Sequence, residues 1–203
     1  IEAMTDGVWE PTRERLESCN DEIKRIGSLV SDLEKLHRLD SENLKLNKSE
    51  INLADIIQKA VKSFDVALED KNLTISVNGD CPDILADADR IGQVVANLLS
   101  NAVKYSEDGG SISVDIFETS DFAGFSITDN GTGIPESELS FIFERFYRAD
   151  KSRNRNTGGS GLGLAIVKSI VDAHGGKISV ESQANHGSSF KIMLPKNQKI
   201  GGA

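Results

Sequence analysis

The strongest constraint on this chain lies between Arg90 and Gly163. There a polar helix face, a strand ending in a carboxylate and a glycine-rich helix entry follow one another. Gln93, Asn97, Asn101 and Lys104 stand at i, i+4, i+8 and i+11, so they share one side of a helix. Val94, Val95, Leu98, Leu99, Ala102 and Val103 fill the opposite side and are expected to be buried. Asparagine is a poor helix former, so two in line cost stability and imply a gain elsewhere. A neutral amide oxygen can ligate Mg²⁺ without cancelling the charge the ion brings to a triphosphate. Lys104 adds a point charge suited to a phosphate. A solvated helix face would show the same spacing, and the next two segments favour the binding reading.

Asp129-Asn-Gly-Thr-Gly-Ile-Pro135 follows the apolar strand Phe125 to Thr128. A carboxylate at a strand end can point into a pocket, and as a pure acceptor it suits the exocyclic amino group of adenine. An ordinary Asp-initiated turn is the plain alternative. Gly158-Gly-Ser-Gly-Leu-Gly-Leu164 leads into an apolar helix, and backbone N–H groups at such a start favour anions. It is not the dinucleotide pattern, because no parallel βαβ unit with a ribose carboxylate follows, and it lacks the Gly-Lys-Ser/Thr of a P-loop.

The 203 residues allow one domain and an appendage, and the 38% apolar fraction is enough for a core. A net charge of −9 argues against non-specific nucleic-acid binding. No apolar run approaches the ~18 residues of a membrane span, and no signal peptide is expected. The chain starts at Ile1, which suggests a fragment, so any membrane connection is expected only through other parts of the parent. Two cysteines, Cys19 and Cys81, form no disulfide framework, which suits a reducing compartment.

Ile1 to Asp6 reads as the last turns of a helix, with a loop punctuated by Gly7 and Pro11. Asp6 or Thr12 could cap the helix ends around that loop. From Pro11 to about Leu39 the apolar positions Leu16, Cys19, Ile23, Ile26, Val30, Leu33 and His37 alternate gaps of 3 and 4, a heptad seam. Leu29 and Leu36 widen the stripe, which suits a helical hairpin pairing into a four-helix bundle. The alternative is an amphipathic helix lying on its own domain. A linker at 40–48, strands near Glu50, Leu73–Val77 and Asp83–Ala86, and a helix over Ala54–Asp70 come next. Asp87 or Asp89 starts the asparagine-bearing helix. Hairpins at 111–128 and 177–194 flank a helix over Gly161–Ala173, ended by Gly175-Gly176. The predicted domains are 1–45, helical; 46–196, a mixed or mostly antiparallel sheet with helices on one face, an α+β sandwich; and a tail, 197–203.

At this point the motifs resemble those of sensor histidine kinases. Asn97-Leu-Leu-Ser-Asn101-Ala-Val-Lys-Tyr-Ser106 resembles the N box, and Asp129 to Pro135 the G1 box. Phe143-Glu-Arg-Phe-Tyr-Arg148 resembles the F box, and Gly159-Ser-Gly-Leu-Gly-Leu164 the G2 box. His174-Gly-Gly and Gly187-Ser-Ser-Phe190 match the family's closing segment. The resemblance implies the Bergerat (GHKL) ATP-binding fold, preceded by a hairpin that forms a homodimeric bundle. It implies ATP and Mg²⁺ as cofactors, a cognate response regulator as partner, and a cytoplasmic location. It makes Asn97 the Mg²⁺ ligand and places Asn101, Lys104 and Tyr105 on the nucleotide. Asp129 and Gly133 would hold adenine, with Ser188 bonding it through water. Gly131, Ile134, Phe143, Tyr147, Gly159, Gly161, Leu162, Gly163 and Leu164 complete the nucleotide-binding set. Arg148 would meet the γ-phosphate, with the lid running from about Phe143 to Ser160 and carrying Lys151, Arg153 and Arg155.

Two departures bear on the reaction. The phosphoacceptor box, a histidine followed by an acidic residue and a Thr-Pro pair, is absent and is expected shortly before Ile1. His37 reads as a packing residue, His186 as a turn residue, and His174 as a cation welcome in a helix's last turn. Where the related ATPases carry a glutamate to activate water, this chain has Gln93, and an amide cannot take the proton. Hydrolysis is therefore expected to be slow, leaving the γ-phosphoryl for an imidazole. The rivals are an ATPase of the wider fold family whose nucleotide gates a clamp, and a non-catalytic docking module with a dead pocket.

Overall fold

The computed structural model describes residues 6–7, 10, 12–20, 22–23, 27, 45–148 and 161–196. The expected helix at 1–6 (save Asp6), the later seam positions from Ile26 to His37, the lid cations Lys151, Arg153 and Arg155, Gly159 and the tail lie outside them. The chain divides into two units, Ile1–Glu42 and Asn43–Ala203. In the first, residues 13–20 are helical and Thr12 Oγ1 accepts from the Arg15 amide at 3.4 Å, an N-cap.

In the second unit, numbered from its own start, β1 (Ser49–Ile51) pairs antiparallel with β3 (Ile84–Ala86). Five further strands, β2 (Thr74–Asn78), β4 (Ser111–Glu118), β5 (Phe122–Asp129), β6 (Lys177–Ser182) and β7 (Ser188–Pro195), form one sheet in the order β2-β4-β5-β7-β6. Only β2 and β4 run parallel; the other neighbours are antiparallel. The sheet is thus mixed, as expected, though the parallel pair was not foreseen. Alternate residues of β4 and β7 are buried, as a sheet covered on one face requires. The cover is made by α3 (Ala88–Tyr105) and α4 (Gly163–Ala173), with α1 (Leu53–Lys62) packed against α3. Leu53, Ile57, Ile91, Leu98, Leu99, Phe125, Ile127, Ile170, Ile192 and Leu194 are almost wholly buried, each contributing about 1.5–3 kcal/mol of transfer free energy.

Three expectations need correcting. The single helix over Ala54–Asp70 is two, α1 and a short α2 (Asp65–Asp70). Ser63 ends the first, its hydroxyl donating to the Ala60 carbonyl at 2.6 Å. Val103 is half-buried rather than buried. His174 is not a cation at a helix end. It is 1% exposed, its Nε2 accepts from the Asp87 amide at 3.1 Å, and its Nδ1 donates to the Ile170 carbonyl at 2.8 Å. That pairing needs the neutral ring, and burial pushes the His174 pKa below its ordinary value. The cost of desolvating a charge outweighs the helix dipole here.

Candidate functional site

The polar face of α3 is set by its start. Asp87 is the N-cap, its carboxylate accepting from the Arg90 amide at 3.1 Å, which fixes the helical phase of everything after it. Burying Val94, Val95, Leu98, Leu99 and Ala102 against the sheet turns Asn97, Asn101 and Lys104 the other way. They meet the turn after β5 and the start of α4 around a pocket of about 540 Å³, within the size range of small-ligand sites.

Asp129 is the last residue of β5, paired with Ile112 on one side and Ser188 on the other. The sheet therefore aims its carboxylate. One oxygen accepts from the Gly131 amide at 2.9 Å, and the Ser188 amide also donates to the group. Burial raises its pKa above the ordinary carboxylate value, and those two donors pull the other way. The turn beyond it is pinned to the β6–β7 hairpin. Ile134 N donates to Ser182 Oγ at 2.8 Å, and Asn185 N to the Thr132 carbonyl at 2.7 Å. Gly133 has φ +63° and lies so close to the Gln183 carbonyl that a side chain would clash, so this position requires glycine.

α4 enters at Gly163 with no side-chain cap on its first turn, leaving backbone donors at the pocket wall. Phe146 N donates to the Gly161 carbonyl at 3.0 Å, joining the two ends of the segment between them. Lys104 Nζ lies 5.0 Å from the centre of the Tyr105 ring, within cation–π range.

The structure gathers Asn97, Asn101, Lys104, Tyr105, Asp129, Gly133, Ile134, Tyr147, Arg148, Gly161, Gly163, Leu164 and Ser188 around the pocket. Gln93, Gly131, Phe143 and Leu162 are not among its lining residues. Gln93 instead accepts from the Arg90 guanidinium at 3.2 Å, Gly131 backs onto the Tyr105 carbonyl, and Leu162 is wholly buried. Ser100, Glu138, Ile142 and Ala184 line it without having been singled out. Ser100 follows Asn97 by three, a spacing that puts the two on neighbouring parts of the helix face. Nothing in the pattern marks the other three.

Two buried polar atoms in this wall, Asn97 Nδ2 and Glu138 Oε2, have no hydrogen-bond partner. Buried polar groups are nearly always partnered, so two orphans on residues of one pocket wall are what a missing polar ligand would leave. No group of three His, Cys, Asp or Glu suited to a metal occurs among the described residues. Asn97 Nδ2 is a donor and suits an acceptor such as a phosphate oxygen, whereas the Asn97 amide oxygen suits a cation that arrives with its own oxygen ligands, as one bound to a triphosphate does.

The wall of this one pocket thus carries a buried carboxylate, Asp129, together with the amides of Asn97 and Asn101 and the cations Lys104 and Arg148. Residues 86–198, more than half the chain, match the family described as histidine kinase-, DNA gyrase B- and HSP90-like ATPase, and the chain belongs to it. It is 35% identical to the sensor histidine kinase WalK of Bacillus subtilis over 98% of its length. It spans about a third of the length of the curated relatives it matches, 34% for both WalK and the sensor protein SrrB of Staphylococcus aureus. It also resembles the structure of full-length ShkA in complex with AMPPNP, with TM-score 0.78, 26% identity, and 90% of this chain and 38% of that one covered. A crystal structure of histidine kinase ThkA in complex with the response regulator TrrA has TM-score 0.70 and 26% identity, covering 93% and 52% of the two chains. Within that family it resembles proteins named as histidine kinases.

Proposed function

We propose that this chain binds ATP with Mg²⁺ and, within a longer parent, delivers the γ-phosphoryl to a histidine of its own dimer for relay to an aspartate of a response regulator. The observation that carries this is that one pocket wall brings the desolvated Asp129 carboxylate together with Asn97, Asn101, Lys104 and Arg148.

Asp129 takes the adenine amino group, while Gly133 and Ile134 lie along the ring. Tyr105 and Tyr147 add aromatic surface. Asn97 offers its amide oxygen to Mg²⁺, which when bound neutralises triphosphate charge. Asn101, Lys104, Arg148 and the backbone donors of Gly163 and Leu164 hold the phosphates. Phosphoryl transfer needs little covalent help from protein, so positioning and charge neutralisation are the contribution expected. Gln93 cannot act as a base toward water, and its side chain is already held by Arg90.

The helical unit supplies the dimer. Its seam residues Leu16 and Ile23 are 53% and 59% exposed in the single chain, surface that a partner helix would cover. The ThkA complex supports a regulator as the downstream partner. No described helix is long and apolar enough to cross a membrane.

Incubation of the purified chain with ATP labelled at the γ-position tests the reading. Saturable ATP binding is expected, with phosphate release well under about 1 s⁻¹ and no label on the chain, whose three histidines lack an acceptor's neighbours. Turnover at ordinary ATPase rates would favour the clamp-type relative instead.

A further inference from the structure

An α-helix leaves its last four carbonyls without intrahelical partners. In α3, once the Ser106 amide has closed the last i→i−4 bond, these belong to Val103, Lys104, Tyr105 and Ser106, and each is matched from outside the ladder. The Ser106 amide donates to Ala102 at 2.9 Å, and the Thr132 amide to Tyr105 at 3.2 Å. Val103 and Lys104 both accept from one side chain, the ammonium of Lys71, at 2.9 and 3.2 Å. The same ammonium donates to the Ser106 carbonyl at 2.8 Å. All three of its donors are therefore used within one helix end, where a cation is also favoured by the dipole. The backbone of Lys71 holds the other side of that end, its carbonyl accepting from the Gly109 amide at 2.8 Å.

We infer that Lys71 is a positioning residue for the phosphate half of the nucleotide site, an inference that rests on the ATP reading above. It touches no pocket space itself. It fixes the turn that carries Asn101, Lys104 and Tyr105, three of the pocket's lining residues. The two halves of the pocket are held by different means. Asp129 is fixed by strand pairing on both sides, independently of Lys71. The Lys104 turn is not part of a strand ladder, and the bonds that hold its carbonyls come from Lys71 and Thr132. Gly131 packs directly on the Tyr105 carbonyl, so the helix end also forms the bed of the turn after β5.

The separation gives a test that simple unfolding would not mimic. K71M, with a side chain of similar length and no donors, is titrated as the whole chain with ATP and Mg²⁺ and, separately, with adenosine. ATP affinity should fall roughly tenfold, because the phosphate-facing turn loosens. Adenosine affinity should stay within about twofold, as for an independent site. K71R, which keeps a cationic donor at the helix end, should recover ATP affinity to within about threefold of the parent. In the ligand-free chain, exchange of the Thr132 amide should be about tenfold faster in K71M than in the parent.

An unchanged ATP-to-adenosine ratio together with unchanged Thr132 exchange overturns the assignment. So does a parallel loss of both affinities that follows the fraction folded. A parent chain that fails to bind ATP would overturn the proposed function instead, and the exchange comparison would still decide the role of Lys71.

Discussion

The two ends of α3 are both gripped by side chains from distant parts of the sequence, and they are gripped differently. At the start, the buried Asp87 carboxylate accepts from Arg90 N at 3.1 Å and from Asn47 N at 2.8 Å, while its amide meets the neutral ring of His174 at 3.1 Å. That end lies away from the pocket and ties together the segment before β1, the helix and the end of α4. At the finish, a partly exposed ammonium and one amide of a turn do the capping, beside the ligand-facing residues. The first arrangement is desolvated and serves stability. The second sets a charged, part-buried cap beside the pocket-lining residues Asn101, Lys104 and Tyr105. Stability and binding are thus separated along one helix, which makes them separable by mutation.

The largest effect should come from breaking the start. Asp87→Ala removes an N-cap, the partner of Asn47 N and the order around a buried imidazole, so about 3 kcal/mol of stability should be lost. For a domain of this size that is roughly 6–12 °C in Tm. Thermal melts would register the loss, while the folded fraction at low temperature should bind ATP within about twofold of the parent. A large loss of affinity without loss of Tm would erase the distinction between the ends. At the finish the pattern should reverse. Lys104→Met should lower ATP affinity roughly tenfold, about 1.4 kcal/mol, and leave the melting temperature within about 2 °C.

A smaller effect sharpens the same contrast through pH. The folded pKa of His174 lies below its unfolded value of about 6.5. Its contribution is therefore fully present above about pH 6.5 and declines as the pH falls from there through the folded value. Urea unfolding at pH 7.5 and 5.5 should show a loss of up to about 1 kcal/mol from this group, absent in His174→Gln. Equal pH dependence in parent and variant would mean that the imidazole is not held neutral.

Much of this could be read from the residues alone, for identifiable reasons. The spacing of Gln93, Asn97, Asn101 and Lys104 and the apolar positions between them fix a helix face before any tertiary contact is known. Strand alternation and the turns at Thr119–Asp121 and Asn185–Gly187 fix two hairpins. What stayed hidden depends on neighbours far along the chain. The break at Ser63 interrupts an apolar pattern that reads straight through into Phe64 and Leu68. The state of His174 is decided by Asp87, 87 residues away, and the role of Lys71 by carbonyls 32 to 35 residues on. The parallel pairing of β2 with β4 joins strands separated by β3 and α3, so no turn announces it. Gln93 shares the helical phase of Asn97 yet falls outside the pocket wall, one turn earlier on the helix, where its amide oxygen accepts from Arg90.

The central claim is that the desolvated carboxylate at the end of β5 reads the adenine ring. Calorimetric titration of ATP with Mg²⁺ into the parent chain and into Asp129→Asn tests it most directly, since the amide keeps the shape and replaces an acceptor oxygen with a donor. The account predicts saturable binding by the parent and an affinity about 30-fold lower for the variant, the value of one charge-assisted hydrogen bond, with the melting temperature maintained. Equal affinity in the two chains would contradict it.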